Sequence, residues 1–369
     1  MAHGVVGLGG SWVSWNPDTL KFRFLTSTPR DITRGSGTYV GISVLANALR
    51  QLGHTVDIES PTRHFPVFTA ERLWYNRRLR ASRAYDCTVG FDMDGYRIAA
   101  TPGVLHVASL KGVIADEVRF ESGLTRLTMS VQARCERLHV HWAARVLVTS
   151  RYSGECAQRL YGLERPPTVV PELIDLAAWR RHLAEFPAPA QAGRFTVLYV
   201  GRLYRRKRVG LLLEAAAALR GAIPSLEIRI VGDGPCNTIW REQAGRLHLA
   251  NTVTWLEDIS RAALAAEYNR CDIFCLPSVQ EGFGIVLLEA MAAGKPIVAA
   301  RAAAIPEVAP HATLVEPESA ESLAAGILTL HGSPEARAAQ RARGLAWVEQ
   351  FDAPAVARRF VEAVRGAAS

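Results

Sequence analysis

Ser278-Val279-Gln280-Glu281-Gly282-Phe283-Gly284-Ile285-Val286-Leu287-Leu288-Glu289-Ala290-Met291-Ala292-Ala293-Gly294-Lys295-Pro296 is the stretch on which the reading of this chain turns. The apolar run 272–276 before it has the length of a buried strand. A polar glycine turn follows, then a helix expected to begin near Phe283 or Gly284, and Pro296–Ala300 resumes as a strand. Strand, glycine turn, helix and strand make a βαβ unit. The helix start presents unpaired N–H groups and the positive end of its dipole. Gly282 and Gly284 let a ligand come close to the backbone. Glu281 stands in the turn and Glu289 inside the helix, with seven residues between them. Such a place suits an anion, and a carboxylate beside it suits the hydroxyls of a ribose or a sugar. Spacing alone favours a plainer account: a solvated Glu at a helix start and another on an exposed helix face.

The pattern repeats outward in both directions. In the second half, Phe195–Val200, Leu226–Val231, Thr252–Leu256 and Thr313–Val315 read as further short strands, and helical stretches such as Arg208–Arg220 separate them. In the front half, the strand Phe22–Ser27 leads through Gly35 and Gly37 into a helix over Tyr39–Leu52. Gly53 stops that helix, and the strand Thr55–Ile58 follows. Short buried strands alternating with helices predict parallel, doubly wound sheets, and 369 residues suffice for two of them. The Pro, Ala and Gly cluster from Phe186 to Gly193 marks the boundary. The expected domains are 1–185 and 186–345, with 346–369 as a last helix. In such sheets ligands lie beyond the carboxyl ends of strands. Gly201 and Arg202 sit at one such end, Lys207 begins the next helix, and Gly232-Asp233-Gly234-Pro235 follows another strand. Arg202 and Lys207 would bind a diphosphate and neutralise charge on it. A solvated basic loop is the plainer account of the same residues.

Composition bounds the rest. Apolar residues make up 49% and charged residues 21%, as in a water-soluble globular protein. No run of eighteen apolar residues occurs, so no transmembrane helix is expected, and Met1 to Ser14 lacks the basic start of a secretory signal. Six scattered cysteines without a Cys-x-x-Cys pair predict neither a disulfide framework nor a zinc ribbon, and a cytoplasmic setting fits. The net charge is +8, from 43 basic and 35 acidic residues. The first 185 residues carry most of the excess, which suggests an anionic partner.

Taken in order, Gly201-Arg202 with Lys207, Gly232-Asp-Gly-Pro235, and Glu281-Gly-Phe-Gly284 with Glu289 resemble the donor-binding half of retaining glycosyltransferases of family 4. In the front half, Gly35-Ser-Gly37, Leu45-Ala46, Leu49 and Gly53-His-Thr-Val56 are similar to that family's opening unit. Val148-Thr-Ser150 and Val169 to Asp175 are similar to its run into the interdomain link. The likeness spans roughly residues 22 to 330. It implies the GT-B fold, an α/β architecture of two Rossmann-like, doubly wound domains facing a cleft. It also implies transfer of a hexose from a nucleotide-sugar with retention of anomeric configuration. UDP is favoured over GDP as the commoner donor in the family, and no metal or other cofactor is required. Position by position, Arg202 and Lys207 would hold the diphosphate and Glu289 the ribose hydroxyls, with Glu281 near the transferred sugar. The backbone of Gly201, Gly282, Phe283 and Gly284 would approach the donor, and Gly35 and Gly37 would approach it from the other domain. Catalysis would rest on Arg202, Lys207 and Glu281. The last helix would cross back onto the front domain.

The acceptor side is less specific. Asp92-Met93-Asp94 looks like a metal-binding Asp-x-Asp, but it stands away from the donor motifs and reads as strand-end groups facing the acceptor, or as a polar turn. Many relatives carry a His-Gly or His-Asp pair where this chain has Ala108-Ser109-Leu110-Lys111-Gly112. Lys111 is therefore preferred over His106 as the group near the sugar. Arg72 to Arg83 holds five arginines with interleaved aromatics. It reads first as a solvated basic face, and otherwise as a peripheral membrane contact for a lipid-linked acceptor. The acceptor is otherwise a glycan or a small molecule, and no nucleic-acid module is visible. Two rival readings share the architecture: a nucleotide-sugar 2-epimerase, and a non-catalytic nucleotide-sugar-binding protein. A nicotinamide enzyme is disfavoured because Gly35-x-Gly37 continues to Val40, where the dinucleotide fingerprint needs glycine.

Overall fold

The computed structural model describes residues 19–29, 37–188 and 193–366. Gly35 and part of the expected domain boundary lie outside them. The first domain runs β1 (Lys21–Leu25), α1 (Gly37–Gln51), β2 (Thr55–Glu59), α2 (Phe68–Arg78), β3 (Cys87–Phe91), β4 (His106–Leu110), α3 (Ile114–Glu117), α4 (Gly123–Trp142), β5 (Arg145–Val148), α5 (Arg151–Tyr161) and β6 (Thr168–Val169). Helix α6 (Leu176–Glu185) leads to the second domain. That domain runs β7 (Phe195–Val200), α7 (Val209–Leu219), β8 (Leu226–Val231), α8 (Asn237–Arg246), β9 (Val253–Leu256), α9 (Arg261–Arg270), β10 (Ile273–Leu276), α10 (Ile285–Ala292), β11 (Ile297–Ala300), α11 (Ile305–Val308), β12 (Thr313–Val315), α12 (Ala320–Gly332) and α13 (Pro334–Trp347). Helix α14 (Ala353–Arg365) closes the described chain.

Each domain holds one six-stranded sheet, ordered β2-β1-β3-β4-β5-β6 and β12-β11-β10-β7-β8-β9, with parallel pairing throughout. Helices cover both faces of such sheets, so β7 and β8 are buried along their whole length, as their near-continuous apolar sequence requires. The chain leaves β7 through β8 to one side and returns to β10 on the other. The strand order therefore reverses between β7 and β10, where a crevice opens at the carboxyl ends. In the first sheet the same reversal falls between β1 and β3. The α/β, doubly wound, two-domain architecture expected from the sequence is the one observed.

Local signals set the helix ends. Helix α1 ends at Gln51, and Gly53 adopts a left-handed φ of 89° while His54 N–H bonds back to the Leu49 carbonyl. Ser150 caps α5 by accepting from the Ser153 N–H at 3.0 Å. Helix α14 buries Val356 and Phe360 in the first domain's core, with the Phe360 ring 6.0 Å from Phe22 and 6.1 Å from Phe24. Helix α6 lies against α9 and α10, where Trp179 Nε1 donates to the Glu289 carbonyl at 3.1 Å and Asn269 Nδ2 to the Leu183 carbonyl at 2.7 Å. All six cysteines are buried and free.

Candidate active site

The carboxyl ends of β7, β8 and β10 meet in one place. Gly232 has φ 134°, and a Cβ built on it would lie 2.1 Å from the Gly201 carbonyl oxygen. The ends of β7 and β8 therefore touch backbone to backbone, which a side chain at Gly232 would prevent. After Gly201 the chain makes a short 3₁₀ turn, Arg205–Lys207, before α7. That turn is tied to the end of β10 by the Val279 N–H, which donates to the Arg206 carbonyl at 2.9 Å. Lys207 Nζ donates to Glu281 Oε1 at 2.6 Å. Desolvation pulls the Lys207 ammonium below its ordinary pKa, and Glu281 opposes that pull. Arg202 is half-buried, 5.9 Å over the Tyr204 ring, and makes no ion pair among the described residues. Like its exposed neighbour Arg205, it is a cation of this loop open to an incoming anion.

Both helix N-termini expected to meet an anion are there. Gly37 opens α1, and a Cβ on it would stand 3.8 Å from Ile285 Cδ1, the first residue of α10. Gly284, at φ 93°, precedes α10 and sets its direction. Two positive helix ends from two domains thus face each other. Helix α10 starts one to two residues later than expected, because Gly284 must turn left-handed before the helix begins. Phe283 is buried against Phe351, with ring centroids 5.5 Å apart. What the helix end offers at Phe283 and Gly284 is therefore backbone.

Across the cleft, the first domain closes on Gly282. A Cβ there would lie 2.9 Å from the Lys111 carbonyl oxygen and 3.2 Å from Gly112 Cα. Three hydroxyls donate to the Gly282 carbonyl: Thr149 at 3.1 Å, Ser150 at 2.7 Å and Ser153 at 3.0 Å. The Glu307 carboxylate accepts from the backbone N–H groups of Arg151 and Tyr152 at 3.0 to 3.4 Å, so an acid of the second domain sits at the N-terminus of α5. Arg206 reaches the other way, to Glu117 at 3.6 Å and Glu121 at 3.9 Å. Burial works against its charge, but Glu117 and Glu281 more than offset it and hold the guanidinium above its ordinary value. Lys111 Nζ lies 3.0 Å from Glu172 Oε2, both side chains buried.

Glu289 sits inside α10, buried rather than exposed. Its Oε1 accepts from Arg261 at 2.5 Å and its Oε2 from the Tyr268 hydroxyl at 3.1 Å, and Arg261 stacks 4.2 Å over Trp179. Each oxygen keeps one lone pair for a further donor.

The acceptor-side candidates separate into two groups. Lys111 and Asp92 stay together beside the cleft, where Lys111 N–H donates to Asp92 Oδ1 at 2.8 Å. Burial pushes the Asp92 carboxyl up to about 6, against the pull of Arg72. Asp94 and His106 face inward instead and are fully buried. Asp94 accepts from Ser27 N at 2.6 Å, Ser27 Oγ at 2.7 Å, Asn76 at 2.9 Å and Arg72 at 3.3 Å, and its complete burial keeps it out of an acceptor's reach. His106 Nε2 lies 2.8 Å from His139 Nε2, and His139 Nδ1 lies 2.5 Å from the Asp92 carbonyl. That carbonyl only accepts, so His139 Nδ1 carries the proton and His106 donates to His139. Burial pushes His139 down to about 4 and His106 well below its ordinary value. Of the five arginines from Arg72 to Arg83, Arg72 is buried in this network, while Arg77, Arg78, Arg80 and Arg83 are exposed as the reading of a solvated basic face expects. Among the described residues no three His, Cys, Asp or Glu side chains are grouped as metal ligands.

Sequence reasoning passed over Arg206, Glu172, Glu307 and the three hydroxyls on Gly282. Arg206 hid in the run Arg205-Arg206-Lys207, and only its depth distinguishes it from its exposed neighbour Arg205.

Two facing Rossmann-like domains with this crevice define the GT-B fold. A solved structure with the same architecture is sucrose-phosphate synthase from Thermosynechococcus elongatus, which is 21% identical, covers 95% of this chain and 100% of its own, and superposes with a TM-score of 0.76. The family model described as Glycosyl transferases group 1 matches residues 183–347, which hold the second domain's sheet. A D-inositol 3-phosphate glycosyltransferase of Pseudarthrobacter chlorophenolicus is 30% identical over 227 residues, 56% of this chain and 54% of that protein. A phosphatidyl-myo-inositol mannosyltransferase of Mycolicibacterium smegmatis is 36% identical over 180 residues, 47% of this chain and 46% of that protein. The chain spans about half the length of the curated relatives it matches.

Proposed function

We propose that this protein is a glycosyltransferase that moves a hexose from a nucleotide-sugar to an inositol-type acceptor, with retention and without a metal ion. The observation that carries the proposal is the junction of Arg202, the Lys207–Glu281 pair and the facing starts of α1 and α10 at the strand-order reversal of the second sheet. Breaking a sugar–phosphate bond leaves negative charge on a nucleoside diphosphate, and that charge has to be met as it develops. Arg202 is unpaired and at hand for it. Lys207 is held in place by Glu281 and is desolvated, so its charge acts through little water. The two helix ends add N–H donors that are already aimed and do not reorganise during reaction. Glu289 is fixed by Arg261 and Tyr268 with lone pairs to spare, and its role is to hold ribose hydroxyls. Glu281 lies where the transferred sugar would sit.

Uridine stands ahead of guanosine as the base, because uridine nucleotides are the commoner donors in the family this sequence resembles. The inositol-type acceptor follows the named activities of the half-length relatives, and the basic first domain suits a phosphorylated inositol. On the acceptor side, Lys111 with Glu172 and Asp92 with the Lys111 amide line the wall opposite Gly282. Retention follows from a front-face course, in which the departing phosphate oxygen takes the proton of the incoming hydroxyl. Incubation with UDP- and GDP-hexoses, each with inositol phosphate or phosphatidylinositol, tests this. Nucleoside diphosphate release that depends on the inositol compound, with sugar on that compound, is the expected result. Epimerised nucleotide-sugar without transfer, or no turnover of any donor, would overturn it.

A further inference from the structure

Helix α4 is 20 residues long, and one face of it is unpartnered. Leu124, Leu127, Val131, Leu138 and Trp142 are 71%, 63%, 38%, 39% and 46% exposed. On a helix of 3.6 residues per turn these five fall within about 60° of arc, a continuous apolar stripe about 30 Å long. The opposite face, with Ala133, Glu136, His139 and Val140, is buried in the first domain. Solvated helices carry polar groups outward, and a stripe of this kind marks an interaction surface.

Charge says which kind of partner fits. Arg134 borders the stripe, Arg126 and Arg137 are exposed further round the same side of the helix, and the helix's one acid, Glu136, is buried. On the other flank the start of α2 adds exposed Val67 and Phe68, held beside α4 by Gln132 Nε2, which donates to Thr69 Oγ1 at 2.6 Å. We propose that this face of α4, with the start of α2, docks on an anionic lipid bilayer. Leucine, valine and phenylalanine enter the acyl boundary, Trp142 sits at the headgroup level, and the arginines meet lipid phosphates. A second copy of the chain fits less well, because a two-fold interface would set the same arginines against each other without an acid between them. No helix of the described residues is long and apolar enough to cross a membrane, so the contact is peripheral.

The stripe also has a useful position. Helix α4 begins just after Glu121, which pairs with Arg206 across the cleft at 3.9 Å. Leu124 and Leu127 therefore stand at the cleft mouth, and a bilayer seated there would present the headgroup of a lipid acceptor to the site. This last step rests on the transferase reading; the docking itself does not.

The test is sedimentation of the full chain with vesicles of phosphatidylglycerol and phosphatidylcholine in equal parts, beside vesicles of phosphatidylcholine alone. The wild-type chain pellets with the anionic vesicles and is released by high salt. The double variant Leu124→Ser/Leu127→Ser loses about tenfold or more in partitioning. The triple variant Arg126→Gln/Arg134→Gln/Arg137→Gln binds more weakly and with less salt dependence. Equal partitioning of wild type and the leucine variant would overturn the proposal. So would a wild-type dimer that the leucine variant dissolves while neither form binds vesicles, which would give the stripe to a second copy. A nucleoside-diphosphate thermal shift on the same preparations serves both as fold control and as separator. A chain that binds the nucleotide but ignores vesicles sinks the docking surface alone, and one that binds vesicles but no nucleotide sinks the transferase reading alone.

Discussion

Replacing Gly282 by alanine adds one methyl group where the two domains meet. That methyl would lie 2.9 Å from the Lys111 carbonyl oxygen and 3.2 Å from Gly112 Cα. Both neighbours are backbone, so no side chain can swing aside. Restoring ordinary contact moves one domain by about half an ångström. The Gly282 carbonyl moves with it, and with that carbonyl go the hydrogen bonds from Thr149, Ser150 and Ser153. Neither domain's own core is touched, so the thermal midpoint should stay near that of wild type. The reacting groups come from both sides of the cleft, and a misplacement approaching 1 Å costs on the order of 100-fold in rate. A loss of roughly 10- to 100-fold in kcat is therefore expected, with nucleoside-diphosphate affinity nearly kept. Turnover by nucleoside diphosphate release gives the first quantity, titration calorimetry the second, and faster amide exchange at Arg151 to Ser153 would report the opened joint. Wild-type turnover in Gly282→Ala would refute the view that the closed joint builds the site.

Three further outcomes are expected. Arg202→Ala and Lys207→Ala should each lower kcat more than they weaken nucleoside-diphosphate binding, because the charge they meet grows in the transition state; unchanged kcat with weakened binding would contradict their role. His139 is neutral in the fold and held down to about 4, so the unfolded chain takes up protons between about pH 6.5 and 4 that the folded chain refuses. The His139 contribution to stability should therefore fall as pH drops through that window, by a few kcal/mol on the order given by the shift, against the opposite contribution of the raised Asp92 carboxyl. His139→Gln should flatten the midpoint-against-pH curve there, and parallel curves would count against the assignment. Turnover should survive EDTA, and its abolition would return the search for metal ligands to Asp92 and its surroundings.

The fold was legible because each signal was local. Strands such as Phe195–Val200 are apolar without alternation, and Gly53 stops a helix where the backbone demands it. The residues proposed to bind the donor were legible because a doubly wound sheet sends its strand ends to one place. Arg202, Lys207, Gly232 and Glu281 need only their strands to be found for their meeting to be foreseen. Contacts between domains were not legible, since nothing local says that Gly282 will meet Lys111 or that Glu307 will reach α5. Depth was also hidden: Asp94 reads as a strand-end group, yet Arg72, Asn76 and Ser27, distant in sequence, enclose it. Helix α4 shows the converse. Its leucines keep helical period, which in sequence marks a core face, and only the packed structure turns that face outward.

The central claim is that Arg202, Lys207 and the two helix starts form a nucleotide diphosphate site. The most direct measurement is a thermal-shift titration of the full chain, wild type and Arg202→Ala/Lys207→Ala, with UDP, GDP and ADP. One nucleoside diphosphate should raise the wild-type midpoint, by about 2.7 kcal/mol of stability at a hundred times its Kd, and raise that of the double variant less. A folded wild-type chain whose midpoint none of the three moves, or a double variant that responds as fully as wild type, would contradict it.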